Sequence, residues 1–170
     1  ALKRKGSNKT TFGTLTFRKI VPSHSEAQEM RKLFFERLRH YTQSNRIKRF
    51  HYVWKAELQE GKILESKQSF RMYNGSAIHF HFLTPHFIPK ELMNKWWNEI
   101  VAEKLLQSGK IDQLQHQEWM NELDSFLANG RKEGSKYLLL PNIKAVSKPE
   151  RYISKYLSKK CGKIEGHVWN

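Results

Sequence analysis

The chain has 170 residues, and its 38% hydrophobic and 12% aromatic content suits one compact core rather than a globally disordered chain. Its 31 basic against 16 acidic residues give a net charge of +15, which points to a polyanionic partner and, with the aromatics, to nucleic acid. No apolar run approaches the roughly eighteen residues of a membrane span, so no membrane partner is expected. The lone cysteine, Cys161, excludes an internal disulfide and a multi-cysteine zinc site, and suits a reducing intracellular setting.

In chain order, residues 1–10 read as a basic flexible arm in which Lys3, Arg4 and Lys5 suit phosphates. This start lacks the apolar core expected of a signal peptide. "TFGTLTFRKIV" (residues 11–21) is rich in Thr and Phe and predicts a strand that Pro22 ends. Ser23 with Glu26 three residues later forms a capping box. The helix behind it places Met30, Leu33, Phe34, Leu38 and Tyr41 on one side, with Arg31, Lys32, Arg37 and Arg39 on the wet side.

"RFHYVWKAEL" (49–58) predicts a second strand. Residues 59–75 contain turn signals and a short strand pair. "SAIHFHFLT" (76–84) predicts another strand. A helix is expected over 90–107, with Leu92, Trp96, Trp97, Ile100, Val101 and Leu105 on its apolar side, and a second over about 113–128. "YLLLPNIKAV" (137–146) reads as a strand broken or bent at Pro141. A last helix opens with a capping box at Ser147 and Glu150, carries Pro149 in its first turn, and stops at Gly162. The order predicts an α+β fold with an antiparallel sheet and helices on it. There is no internal repeat, low-complexity tract or interdomain linker, so residues 11–170 read as a single domain.

The unusual element is "HFHF". Alternation puts His79 and His81 on one face of a strand and Phe80 and Phe82 on the other, toward the core. Two protonated imidazoles side by side repel, whereas two neutral ones are good ligands for a divalent metal. A carboxylate is the natural third donor. Glu57, which ends "HYVWKAE", is the candidate, and Glu60 and Glu65 compete with it.

Downstream, "RYISKYLSKK" places Tyr152 and Tyr156 four apart on one helical side, each followed three residues later by a lysine, Lys155 and Lys159. Such a pair is commonly packing, but a core face does not set ammonium groups beside both rings. A phenol is only about one part in a thousand ionised at neutral pH, and a neighbouring ammonium and metal favour the phenolate. A basic surface, a metal site and a tyrosine nucleophile together suit attack on a phosphodiester. No Gly-rich nucleotide-binding loop is present, so no nucleotide cofactor is expected.

Taken together, these motifs resemble the HUH endonucleases, in particular the rolling-circle replication initiators of phages and plasmids. "TFGTLTF" resembles the first motif, "HFHFLT" the His-hydrophobe-His motif, and "YISKYLSKK" the tyrosine helix in its two-tyrosine form. "HYVWKAE" resembles the family's carboxylate strand, which favours Glu57 over Glu65 as third ligand. The resemblance covers about residues 11–160. Its order, with tyrosines after histidines, is that of replication initiators and single-strand transposases rather than relaxases.

The resemblance implies a ferredoxin- or RRM-like sheet of about five antiparallel strands with flanking helices. It further implies Mn2+ or Mg2+ held by His79, His81 and Glu57. The reaction it implies is nicking and rejoining of single-stranded DNA at an origin hairpin through a 5′-phosphotyrosine on Tyr152 or Tyr156, assisted by Lys155 and Lys159. A host or viral helicase and polymerase are the implied partners, and the implied setting is the cytoplasm of a bacterial or archaeal host. Residues 59–75 lengthen the connection from glutamate to histidines, and Lys62, Lys67 and Arg71 there suit DNA phosphates. The tail "GKIEGHVWN" ends where relatives continue, as in a nuclease domain excised from a longer protein. The competing functions are a transposase of the same chemistry, commonly with one catalytic tyrosine, and a non-cleaving nucleic-acid-binding module of related fold.

Overall fold

The structure is a computed structural model that describes residues 10–17, 22–47, 51–59, 77–130, 135–146, 148, 151 and 154. In chain order these form β1 (Thr10–Leu15), α1 (His24–Ser44), β2 (Val53–Gln59), β3 (Ala77–Thr84), α2 (Lys90–Gln107), α3 (Gln113–Asn129) and β4 (Asn142–Val146). The strands make one antiparallel sheet in the order β2-β3-β1-β4. The expected α+β class with a central antiparallel sheet holds, with four strands among the described residues. Residues 60–75 of the stretch where a further strand pair was expected lie outside them, as do Ser147 and Glu150 of the second capping box.

The helices sit on the face of the sheet that carries the even-numbered residues of β3. Ile78, Phe80 and Phe82 are buried there with Trp54 and Ala56 of β2 and Leu15 of β1. Phe34 of α1 packs its ring against Phe82 and Trp97 at centroid distances of 5.7 and 6.0 Å. Phe35 lies edge-on to Phe82 and stacks on Tyr52 at 4.2 Å. Burying each such side chain contributes about 1.5–3 kcal/mol, which is why this face decides the register of the whole sheet.

α1 starts where the sequence predicts. The Ser23 N–H donates to Glu26 Oε2 at 2.6 Å and the Glu26 N–H donates to Ser23 Oγ at 3.3 Å. α3 has an equivalent box that the sequence reading did not single out, with Asp112 and Gln115 exchanging bonds of 2.7 and 2.9 Å.

One expectation is corrected and two others are resolved. Arg31 is not on the wet side of α1: its guanidinium lies 3.7 Å from the centre of the Trp54 ring, so cation–π attraction and the length of the side chain carry it onto the sheet. Trp97 lies on the apolar side of α2 as its spacing predicts: it is fully buried, and its indole N–H donates to the Thr16 carbonyl at 2.8 Å. Of the two forms expected for 137–146, broken or bent at Pro141, the structure has the broken one: β4 begins at Asn142. Pro141 has no N–H for a ladder. Ahead of it, the backbone of Leu139 is bound by a side chain: its N–H donates to Asn98 Oδ1 at 2.8 Å and its carbonyl accepts from Asn98 Nδ2 at 2.7 Å.

Asn98 also accepts the Trp119 indole N–H at 2.9 Å, so one buried amide ties α2, α3 and the approach to β4 together. Glu122 of α3 holds the same approach by accepting from Ser135 Oγ, Lys136 N and Tyr137 N at 2.8, 3.1 and 3.0 Å. Burial pushes its carboxyl up, but these bonds outweigh it and hold the group below the usual carboxylate range. The result is that β4 is delivered to the side of β1.

Within β1, Gly13 pairs with Phe82, whose ring folds over it. A Cβ at Gly13 would lie 2.2 Å from both Cε1 and Cζ of that ring, so the position accepts no side chain as it stands. That contact fixes β1 against β3 one residue away from the polar row described next.

Candidate functional site

The face opposite the helices is built from odd-numbered residues of β2 and β3 and even-numbered residues of β1 and β4. Strand pairing arranges them in rows across the sheet. Lys55, His81, Thr14 and Asn142 form one row, each opposite the next. Val53, Leu83, Phe12 and Lys144 form the row on one side. On the other side Glu57 stands opposite His79. Because cross-strand neighbours share a face, His79, His81 and Glu57 are on one surface by register alone.

His81 is the hub. Its Nε2 lies 2.8 Å from Glu57 Oε2, and its Nδ1 lies 2.9 Å from Thr14 Oγ1. The Phe12 ring stacks on the imidazole with centroids 5.8 Å apart and planes 15° from parallel. The His81 and Glu57 side chains retain 12% and 22% of their exposure, so the pair is sheltered but reachable. Lys55, at 8% exposure, places an ammonium-bearing side chain in the same sheltered row.

His79 is also sheltered. Burial, and then the neighbouring His81, lower its pKa from the ordinary imidazole value, and Glu57 only partly opposes them. It is therefore neutral at neutral pH, the form that ligates metals.

The donor chemistry fits a divalent cation: two imidazoles and a carboxylate on one sheltered face. Ligands of one ion at bond lengths near 2.0–2.2 Å lie about 3.0–3.4 Å apart, close to the Nε2–Oε2 separation of 2.8 Å. Among the described residues no three His, Cys, Asp or Glu side chains are already gathered as a metal-holding group. Here the His81–Glu57 hydrogen bond occupies the position that coordination would take.

Tyr152, Tyr156, Lys155 and Lys159 lie outside the described residues, as do the competing carboxylates Glu60 and Glu65. Thr14, Phe12 and Lys55 are site partners that the sequence reading did not single out. Their signal was parity: in β1 the residues alternating with Leu15 and Gly13 belong to the face of the histidines.

The fold and this face define an α+β domain whose sheet has a helix-covered apolar side and a second side bearing an imidazole–carboxylate cluster. The chain belongs to the replication-associated protein (ORF2) family, whose model matches residues 10–161. That membership supports a Rep-type replication initiator. No curated protein and no solved structure matches the chain.

Proposed function

We propose that this protein nicks and rejoins single-stranded DNA at a replication origin, starting rolling-circle replication, through a covalent 5′-phosphotyrosine. The observation that carries the reading is the row arrangement of Glu57, His79 and His81 on one sheet face in a chain of a replication-associated family. The net charge of +15 suits a nucleic-acid substrate.

In this reading His79, His81 and Glu57 would hold a divalent cation, Mn2+ or Mg2+, which would supply Lewis-acid withdrawal of charge from the scissile phosphate. Tyr152 or Tyr156 attacks phosphorus in line. The bond from its Oη to phosphorus forms as the bond from phosphorus to the deoxyribose O3′ breaks. The phenol loses its proton to the surroundings, and the leaving O3′ takes one up. Lys155 and Lys159 offset charge on the crowded phosphate. The phosphate ester is conserved, so a free 3′-OH reverses the step and rejoins the strand without a nucleotide cofactor. Two competent tyrosines let one subunit cut, transfer and cut again, with a helicase and polymerase extending from the free 3′ end in the cytoplasm of the host cell.

The test is a denaturation-resistant adduct between the protein and labelled single-stranded origin DNA in the presence of Mn2+ or Mg2+. The adduct is expected with the native chain and lost in Tyr152→Phe/Tyr156→Phe and in His79→Ala/His81→Ala. An adduct that persists without the histidines overturns the metal role. DNA binding with no adduct on any origin sequence makes the protein a non-cleaving module.

A further inference from the structure

We propose that Thr14 is a positioning residue for His81: its hydroxyl accepts the Nδ1–H and so selects the tautomer whose Nε2 ligates the cation. This rests on the reading above that His81 is a metal ligand. The observation is the chain of contacts from Thr14 Oγ1 to Nδ1 at 2.9 Å and from Nε2 to Glu57 Oε2 at 2.8 Å.

A neutral imidazole has one N–H and one lone pair to share between these two partners. An ionised carboxylate only accepts. For a neutral His81 beside an ionised Glu57, the 2.8 Å contact places the proton on Nε2, and Nδ1 accepts from the Thr14 hydroxyl. Were Nε2 to ligate a cation, its lone pair would be used there and the ring proton would sit on Nδ1. That proton then needs an acceptor.

A hydroxyl is the side-chain group that serves both states without moving its heavy atom, because its O–H rotates. A carbonyl serves only the second state, and an ammonium only the first. For a neutral ring the two states would differ only in tautomer: a proton leaves Nε2 and one arrives on Nδ1. The rest of the setting holds the ring still for this exchange. Thr14 is buried on a strand where it stands directly opposite His81, and Phe12, two residues along the same strand, stacks on the imidazole plane. The β-branch of Thr14 restricts its χ1 and keeps Oγ1 on the ring nitrogen.

Thr14→Val keeps the shape and the branch and removes the hydroxyl, and Thr14→Ser keeps the hydroxyl. Mn2+ titration of the full chain by calorimetry and by Mn2+ electron paramagnetic resonance is expected to show affinity about 10–100-fold weaker for Thr14→Val. Thr14→Ser is expected to restore most of it. Independently of any variant, nitrogen-15 NMR of the native chain is expected to show His81 protonated on Nε2 without metal and on Nδ1 with saturating Mg2+. Unchanged Mn2+ affinity in a folded Thr14→Val chain, or a His81 tautomer that is the same with and without Mg2+, overturns the role of Thr14. His81→Ala separates the two levels. If it binds Mn2+ as well as the native chain, the metal reading itself fails. If it abolishes binding while Thr14→Val does not weaken it, only the Thr14 assignment fails.

Discussion

Replacing Gly13 by alanine adds one methyl group where the Phe82 ring of β3 lies against β1. The new Cβ would lie 2.2 Å from two carbons of the Phe82 ring and 3.1 Å from a third. Carbon–carbon contacts are comfortable at about 3.5–4.0 Å, so the ring has to retreat by more than an ångström. It has little room, being 1% exposed and walled in by Phe34 and Phe35 at 5.7 and 5.6 Å. Overpacking of this kind costs about 1–3 kcal/mol, and the lower chain entropy of alanine returns about 0.5–1 kcal/mol. The net loss of about 1–2 kcal/mol corresponds to a Tm fall of about 2–8 °C for a chain of this size.

Thermal and urea melts followed by circular dichroism measure it. Phe82→Leu vacates the space, so Gly13→Ala should cost less in that background than alone, with a coupling energy of about 0.5–3 kcal/mol. A Gly13→Ala chain that melts at or above the native temperature, or strict additivity of the two changes, refutes the reasoning.

Asn98→Ala should be the most damaging polar substitution, because it strands the buried Trp119 N–H and both backbone groups of Leu139. Each orphaned group costs about 1–3 kcal/mol, so a total loss of about 3–5 kcal/mol is expected in a urea melt, and a loss below 1 kcal/mol contradicts the assignment. Glu26 gives a pH signature. Burial raises its pKa, but bonds from Lys110 and from Ser23 prevail and lower it to about 2 from 4.5. The native state thus holds this carboxylate ionised after the unfolded chain has taken up a proton. Its stabilisation is full above about pH 4.5 and drains away as pH falls toward 2. Gln at this position keeps the capping geometry and abolishes the charge. The stability gap between native and Glu26→Gln chains should therefore be constant above pH 5 and close below it, and a gap independent of pH down to about 2.5 counts against the pairing.

Most of the helical frame and the histidine strand were legible in the sequence because local rules and burial agree there. The Ser23 box, the 90–107 helix and the alternation of His79, Phe80, His81 and Phe82 all appear where their spacing put them. The interruption of 137–146 at Pro141 was legible, but not what holds the apolar run ahead of it: the backbone of Leu139 is bound by the side chain of Asn98, 41 residues away. Nor does helical periodicity foretell a cation–π contact across layers, which is how Arg31 leaves the wet side for Trp54. The Glu57–His79 pairing was only half visible. The sequence offered three carboxylates, and the register, fixed by the Phe-rich face, puts Glu57 directly across from His79. Parity put Thr14 on the face of the histidines, but its partner could not be read from the sequence because His81 lies 67 residues away.

The two sides of β3 answer to different masters, and that limits how this gene can change. Inserting or deleting one residue upstream within the strand would turn the aromatic rings toward the donors and the imidazoles into the packed interior at a stroke. Length change in this segment is therefore tolerated only in steps of two, while the connection between β2 and β3 is free of that parity. Natural variation among relatives should accordingly accumulate in the connection and leave the spacing of the histidine strand untouched.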